Sequence, residues 1–202
     1  MNEIERFASD PEQLHAVLGR LANLVDTARD LPESVFQTEG GEYAFCDFGR
    51  VFRREFASVL TQLTRVAGDE YVQLVSLPEP RDYLLPSGSS FGALKIPTAE
   101  LAASYWPAVA LWPEAGSGKA LMYSAVRVVL FGSQGGWTIW ADRFWEIAIV
   151  RTDFSDSSWR DGMDYFFDIS SAQNVYTEFA QRPEFESPGF WNAFTQNYSK
   201  RR

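Results

Sequence analysis

GGWTIWADRFWEIAIVRT, residues 135–152, is the stretch that decides the fold. Two runs rich in β-branched and aromatic residues, 137–141 and 146–151, lie on either side of a four-residue segment. This arrangement is typical of two strands joined by a tight turn. A similar run at 124–131 precedes them, after which comes a glycine-rich turn. The three runs together predict an antiparallel β-meander.

Helical patterns lie on both sides of this meander. Asp10 is a suitable N-cap and Pro11 suits the first position of a helix, after which apolar residues recur at helical spacing. A second apolar stripe covers residues 48–66 and is followed by Gly68, a common residue at helix ends. Further helices are predicted at 98–111, 171–181 and 188–198.

The remaining patterns set the fold class. Strands are predicted at 71–77 and 93–96, a hairpin over 35–46 and a short strand at 165–168. The predicted strands form hairpins and do not alternate regularly with helices. This pattern argues for an α+β protein. We therefore expect a largely antiparallel sheet with helices packed on one face and helices at both chain ends. We expect one domain over 1–202, in which 113–119 could form an internal connection.

Composition excludes several classes of partner. The 202 residues include 27 acidic and 18 basic side chains, for a formal charge of −9. Such a surface repels phosphate backbones and anionic lipid, so we expect no nucleic-acid and no membrane partner. A basic partner protein would be attracted to it. The oligomeric state does not follow from composition.

Cysteine usage and the N-terminus indicate a compartment. The single cysteine, Cys46, excludes an internal disulfide and favours a reducing environment. Residues 1–13 are acidic and lack the apolar run of a secretory signal. We therefore expect a cytoplasmic protein.

Two strings imitate catalytic motifs. Ser90 lies in a literal G-x-S-x-G, but a strand pattern and Pro97 follow it where a hydrolase needs a helix. The one histidine, His15, lies far upstream, although this class of hydrolase places its base after the serine. The segment 116–119 ends like a phosphate-binding loop, but Ala120 stands where the motif requires Ser or Thr. We expect neither activity.

Metal and cofactor sites are not predicted either. One histidine and one cysteine cannot supply the usual ligands of structural zinc. Five aspartates within 153–168 are rich in the oxygen ligands that calcium prefers, but they lack the spacing of a calcium-binding loop. We read this segment as a solvated acidic loop and expect no catalytic residue, metal or cofactor.

The predicted binding surface is the turn of the 135–152 hairpin. Tryptophan and arginine dominate binding hot spots because they bury a large area and keep a polar group. Side chains alternate between the two faces of a strand, and the sequence does not show which face is buried. Whichever face is buried, we expect at least one large aromatic side chain near Trp140 or Trp145 to be only partly covered. The proposed binding residues are Trp140, Asp142, Arg143, Trp145 and Glu146. A second basic candidate surface comprises Arg50, Arg53 and Arg54.

These observations lead to one preferred function and two alternatives. We expect a non-enzymatic cytoplasmic protein that binds and masks another protein, as bacterial immunity proteins do when they inhibit toxins. The first alternative is a hydrolase or transferase that uses Asp142, Glu146 and the acids of 153–168. The second is a small-ligand binder with a tryptophan-lined pocket.

Overall fold

A computed structural model describes residues 6–77, 92–111, 120–179 and 182–199. Three features of the sequence lie outside the described residues. They are Ser90, the candidate connection 113–119 and, within it, the string 116–119 that resembles the end of a phosphate-binding loop. The expected organisation as a single domain therefore stays a prediction.

Six strands form one antiparallel sheet. They are β1 (Glu42–Asp47), β2 (Tyr71–Leu77), β3 (Ala93–Pro97), β4 (Arg127–Gly132), β5 (Trp137–Asp142) and β6 (Ile147–Thr152). Across the sheet their order is β1-β6-β5-β4-β2-β3, and each neighbouring pair is antiparallel. The predicted meander is therefore confirmed as β4-β5-β6.

Helices precede, interrupt and follow the strands. They are α1 (Pro11–Ala22), α2 (Phe48–Val51), α3 (Phe56–Ala67), α4 (Leu101–Val109), α5 (Leu121–Ser124), α6 (Ile169–Phe179), α7 (Pro183–Glu186) and α8 (Pro188–Tyr198). Short 3₁₀ turns cover Thr98–Glu100 and Ser158–Arg160. The α+β class, the antiparallel sheet and the helices at both ends are confirmed.

The helices cover both faces of the sheet, whereas the sequence led us to place them on one. Residues such as Leu74 and Ile139 pack with α3 and α4 on one face. Their neighbours Val75 and Trp140 pack with α1, α6 and α8 on the other face. The physical reason is that every residue of β5 and β6 is buried, so both faces of the central strands need cover.

Local signals explain where individual helices begin and end. The Asp10 carboxylate accepts a hydrogen bond from the Gln13 N–H at 2.8 Å and so caps α1. Gly68 ends α3 with a φ of 71°, a left-handed conformation that favours glycine. The helix predicted over 48–66 is divided in two, because the consecutive charged residues 53–55 lie in an exposed turn between α2 and α3.

The hairpin predicted over 35–46 is wrong. Its second half forms β1, which pairs with β6, and Phe36 instead forms an isolated bridge with Val25. The apolar strand β6 offers β1 a buried partner on both faces, which a local hairpin would not provide. The strand predicted at 165–168 is reduced to one bridge between Phe45 and Phe167. Within the described ranges, no helix is long and apolar enough to cross a membrane.

Candidate functional site

The turn between β5 and β6, residues 143–146, contains or borders all the predicted binding residues. Three of them, Trp140, Asp142 and Trp145, are buried. Trp140 is fully buried beneath the Arg127 guanidinium, whose central carbon lies 4.5 Å from the centroid of the indole. Trp145 is 7% exposed, and its Nε1 donates to the Asp30 carboxylate at 2.8 Å. Both tryptophans therefore belong to the core.

Asp142 is also buried, and its contacts are structural. Its Oδ2 accepts from Arg127 Nε at 2.6 Å. Its Oδ1 accepts from the backbone N–H groups of Phe144 at 2.8 Å and Trp145 at 3.3 Å. One carboxylate thus fixes the turn and neutralises a neighbouring cation.

Glu146 closes the turn with an exposed side chain. Its φ of 58° lies in the left-handed region, which costs energy for a residue other than glycine. The carbonyl of Glu146 accepts from the Phe48 N–H at 2.9 Å, which ties the turn to α2. The backbone of Glu146 therefore links the turn to α2.

Among the five predicted binding residues, Arg143 is partly exposed and carries a positive charge. Its Nε donates to the Ala125 carbonyl at 2.8 Å and its Nη2 to the Met122 carbonyl at 2.9 Å. Its guanidinium carbon lies 4.7 Å from the centroid of the Phe48 ring. Partial burial lowers the pKa of Arg143 from its ordinary value. No carboxylate of a described residue lies within ion-pair distance of it, so its charge is not neutralised locally.

Arg143 lies beside a cavity of about 550 Å³. Arg53 and Arg54, from the turn between α2 and α3, line the same cavity together with one acid, Glu55. Trp106 of α4 contributes an aromatic wall. The cavity therefore unites the two surfaces that sequence reasoning proposed separately. Arg50, the third member of the second candidate, instead lies over the Tyr165 ring at 5.0 Å.

Sequence reasoning missed three exposed apolar side chains, of which Tyr123 lines this cavity. Tyr123 is 53% exposed, Val126 50% and Phe144 52%, and among the described residues they are the large hydrophobic side chains that remain exposed. The Arg143 N–H donates to the Val126 carbonyl at 2.8 Å, so these residues face each other where β4 and β5 meet. Tyr123 and Phe144 lie within three positions of that pair. We call Tyr123, Val126, Arg143 and Phe144 the turn-end surface.

Several of the predicted acids lie at opposite ends of β6 or cap local turns. Asp142 and Glu146 lie before β6, whereas Asp153 follows its last residue, so about 17 Å of strand separates them. Asp156 and Asp168 accept backbone hydrogen bonds from Ser158 at 2.8 Å and Ser171 at 2.7 Å. In the part of the chain that the structure describes, no group of three His, Cys, Asp or Glu side chains could hold a metal ion.

Cys46 and His15 are two further reactive side chains. Cys46 is fully buried in β1, and burial raises the pKa of its thiol. His15 is exposed on α1. Neither side chain lines the cavity beside Arg143.

Comparisons with known proteins identify no relative. No protein-family model matches the chain, and no curated protein or solved structure shows significant similarity to it.

Proposed function

We propose that this protein acts by binding another protein through the turn-end surface. The observation that supports this proposal is that Tyr123, Val126 and Phe144, each about half exposed, lie in the two chain segments joined by the Arg143–Val126 backbone hydrogen bond. Grouped exposed apolar side chains are uncommon on soluble proteins and often mark an interaction site. Aromatic residues contribute strongly to such interfaces because burying them gains much apolar area.

The surface also has a rigid base, which favours tight binding. The Arg143 guanidinium is held by two backbone carbonyls, and Phe144 packs edge-on against Trp145 with ring centroids 5.1 Å apart. Arg182 also packs on the Phe144 ring, with its guanidinium carbon 4.4 Å from the ring centroid. Groups already fixed in place lose little conformational entropy on binding.

Local charge indicates the chemistry of the partner. Arg53, Arg54 and Arg143 line the adjacent cavity, where Glu55 is the one acid among the described lining residues. We therefore propose that the contacting segment of the partner carries carboxylates next to apolar side chains. The net charge of −9 led us to expect a basic partner, but the local charge at the interface outweighs the distant charge at contact distance.

The form of function that we propose is stoichiometric masking of the partner, as in immunity-type inhibitors, without an enzymatic step. We propose a cytoplasmic location on the sequence evidence described above. Arg127, Asp142 and Trp145 then act as the support of the interface rather than as contact residues.

One alternative has an observation in its favour. Trp106 lines the cavity of about 550 Å³, a volume in the range of small-molecule sites. If a small ligand occupied this cavity, its binding would quench tryptophan fluorescence, and Trp106→Phe would abolish the quenching. Quenching that survives Trp106→Phe would argue against this alternative.

The proposal is tested by capture with matched baits. The wild type, a Tyr123→Ala/Phe144→Ala variant and a control variant, His15→Ala/Gln173→Ala, are compared in lysate of the native host after circular dichroism shows all three folded. Both control positions are exposed on helices and lie outside the turn-end surface. We expect a stoichiometric partner with the wild type and the control that is lost with Tyr123→Ala/Phe144→Ala. Equal capture by all three baits would contradict the proposed interface.

A further inference from the structure

A second cavity, of about 530 Å³, lies between α1 and the strands β2 and β3. Its apolar lining includes Ala16, Val17 and Ala93. Its polar lining includes Arg20, Tyr71, Gln73 and Lys95, and no carboxylate of the described chain lines it. None of these residues belongs to the turn-end surface, so the cavity has to be considered separately.

Arg20 of α1 organises the polar side of this cavity. Its Nη1 donates to Tyr71 Oη at 2.5 Å and to Gln73 Oε1 at 2.9 Å. Its Nη2 donates to the carbonyls of Gly132 at 3.0 Å and Ser133 at 2.9 Å. The four Nη hydrogens of Arg20 thus all donate to uncharged acceptors. Within the described ranges, no carboxylate lies within ion-pair distance of this guanidinium.

These contacts determine the direction of two donor groups. The Tyr71 oxygen already accepts from a cation, so its own hydrogen has to point away from the guanidinium. Gln73 likewise uses its carbonyl oxygen towards Arg20, which leaves its amide N–H groups directed elsewhere. No described residue accepts a hydrogen bond from the Tyr71 hydroxyl or the Gln73 amide nitrogen.

Lys95 places a positively charged group next to Tyr71 and Gln73. It lies directly opposite Gln73 in the register of β2 and β3, so the two side chains share one face of the sheet. Its ammonium nitrogen is 3.8 Å from the centroid of the Tyr71 ring. No ion pair between Lys95 and a described residue is present. A hydroxyl, an amide and an ammonium donor therefore meet next to a second cation.

We propose that this cavity binds a small organic oxyanion with an apolar body. The anionic head, a carboxylate or a phosphate, accepts from the donors of Tyr71, Gln73 and Lys95, and the body lies along Val17 and Ala93. Hydrogen bonds from such donors to a charged oxygen are stronger than those between neutral groups. Arg20 is a positioning residue, since it holds the two neutral donors towards the ligand and adds charge without contacting the head.

The test is isothermal titration calorimetry with octanoate and octyl phosphate as the two anionic probes and octanol as the neutral one. We expect at least one anion to bind saturably and octanol to bind at least tenfold more weakly. Tighter binding of octanoate assigns a carboxylate head, and tighter binding of octyl phosphate assigns a phosphate head. Lys95→Gln and Tyr71→Phe should each weaken anion binding about tenfold, because each removes one donor to a charged group.

Arg65→Gln is the matched control, since it removes one exposed positive charge from α3 and leaves the cavity unchanged. Its affinity should equal that of the wild type, and thermal unfolding should show all variants folded. Equal affinity for octanol and the anions, wild-type affinity in both Lys95→Gln and Tyr71→Phe, or no saturable binding of either anion would overturn the proposal. The turn-end variants do not alter this cavity, so each proposal can fail without the other.

Discussion

Arg127 and Asp142 join the binding turn to the sheet. Arg127 Nε donates to Asp142 Oδ2 at 2.6 Å, and the two residues lie opposite each other at the end of the β4–β5 ladder. Arg127 Nη2 also reaches Asp30 Oδ1 at 3.1 Å, and that oxygen accepts from Trp145 Nε1 as well. The exposed Phe144 is therefore carried by a turn whose base is an ion-paired and hydrogen-bonded network.

Replacing Asp142 by alanine should strongly destabilise the protein. Asp142→Ala removes the partner of Arg127 and both hydrogen bonds to the turn, and we expect a loss of about 3 kcal/mol in the free energy of unfolding. Asp142→Asn keeps an acceptor for the turn and should lose less. Urea unfolding of the three proteins measures this order, and equal stability of Asp142→Ala and the wild type would refute the structural role.

Trp140 should affect stability rather than binding. Its side chain is fully buried, so Trp140→Ala should lower the free energy of unfolding by about 3–5 kcal/mol. Trp140→Phe should cost clearly less, because it keeps most of the volume and removes an indole N–H without a hydrogen-bond partner among the described residues. Chemical denaturation compares the two variants. A folded Trp140→Ala protein of wild-type stability would show that the indole is not in the core.

Asp168 should make a pH-dependent contribution to the stability of α6. The backbone N–H and the hydroxyl of Ser171 hold the pKa of this carboxyl below its ordinary value. A lowered folded-state pKa means that the contribution is complete above the unfolded pKa, about 4, and is lost as the pH falls through the folded value. Asp168→Ala should therefore cost about 1 kcal/mol at pH 7 and progressively less below about pH 4.

Asp168→Asn is the matched control for this prediction, because asparagine also caps helices and does not titrate in this range. The stability of Asp168→Asn relative to Asp168→Ala should stay constant between pH 7 and pH 3. A difference between wild type and Asp168→Ala that does not change with pH would rule out capping by the ionised carboxylate.

Cys46 should be unreactive in the native protein. It is fully buried, and burial raises the pKa of its thiol, so little thiolate forms and reagents have no access. We expect no labelling by iodoacetamide at pH 8 under native conditions and one label per chain in guanidinium chloride. Rapid native labelling would mean that β1 opens or that the thiol is exposed.

Local patterns predicted the elements that are stabilised locally. The apolar pattern of residues 135–152 predicted the meander correctly. The Asp10-Pro11 pair predicted the start of α1 correctly. The pairing of β1 with β6 could not be read in this way, because about 100 residues separate the strands and a nearby hairpin was equally compatible with the local pattern.

Of the four residues of the turn-end surface, the sequence analysis named Arg143 and not Tyr123, Val126 or Phe144. Trp140 was expected near the surface because both faces of β5 are apolar, and periodicity does not show that helices cover both. Tyr123 and Val126 remain about half exposed, and their exposure depends on tertiary packing around α5. The Arg20 contacts likewise join a helix to residues more than 50 positions away.

The central claim, that the turn-end surface is a protein interface, is tested most directly by photocrosslinking from position 144. Phe144 is replaced by p-benzoylphenylalanine, and the same substitution at His15, exposed on α1, is the control. We predict one crosslinked protein from position 144 in host lysate, absent from position 15. Excess wild type should suppress it, whereas excess Tyr123→Ala/Phe144→Ala should not. The same crosslinked products from both positions, or equal suppression by both competitors, would contradict the account.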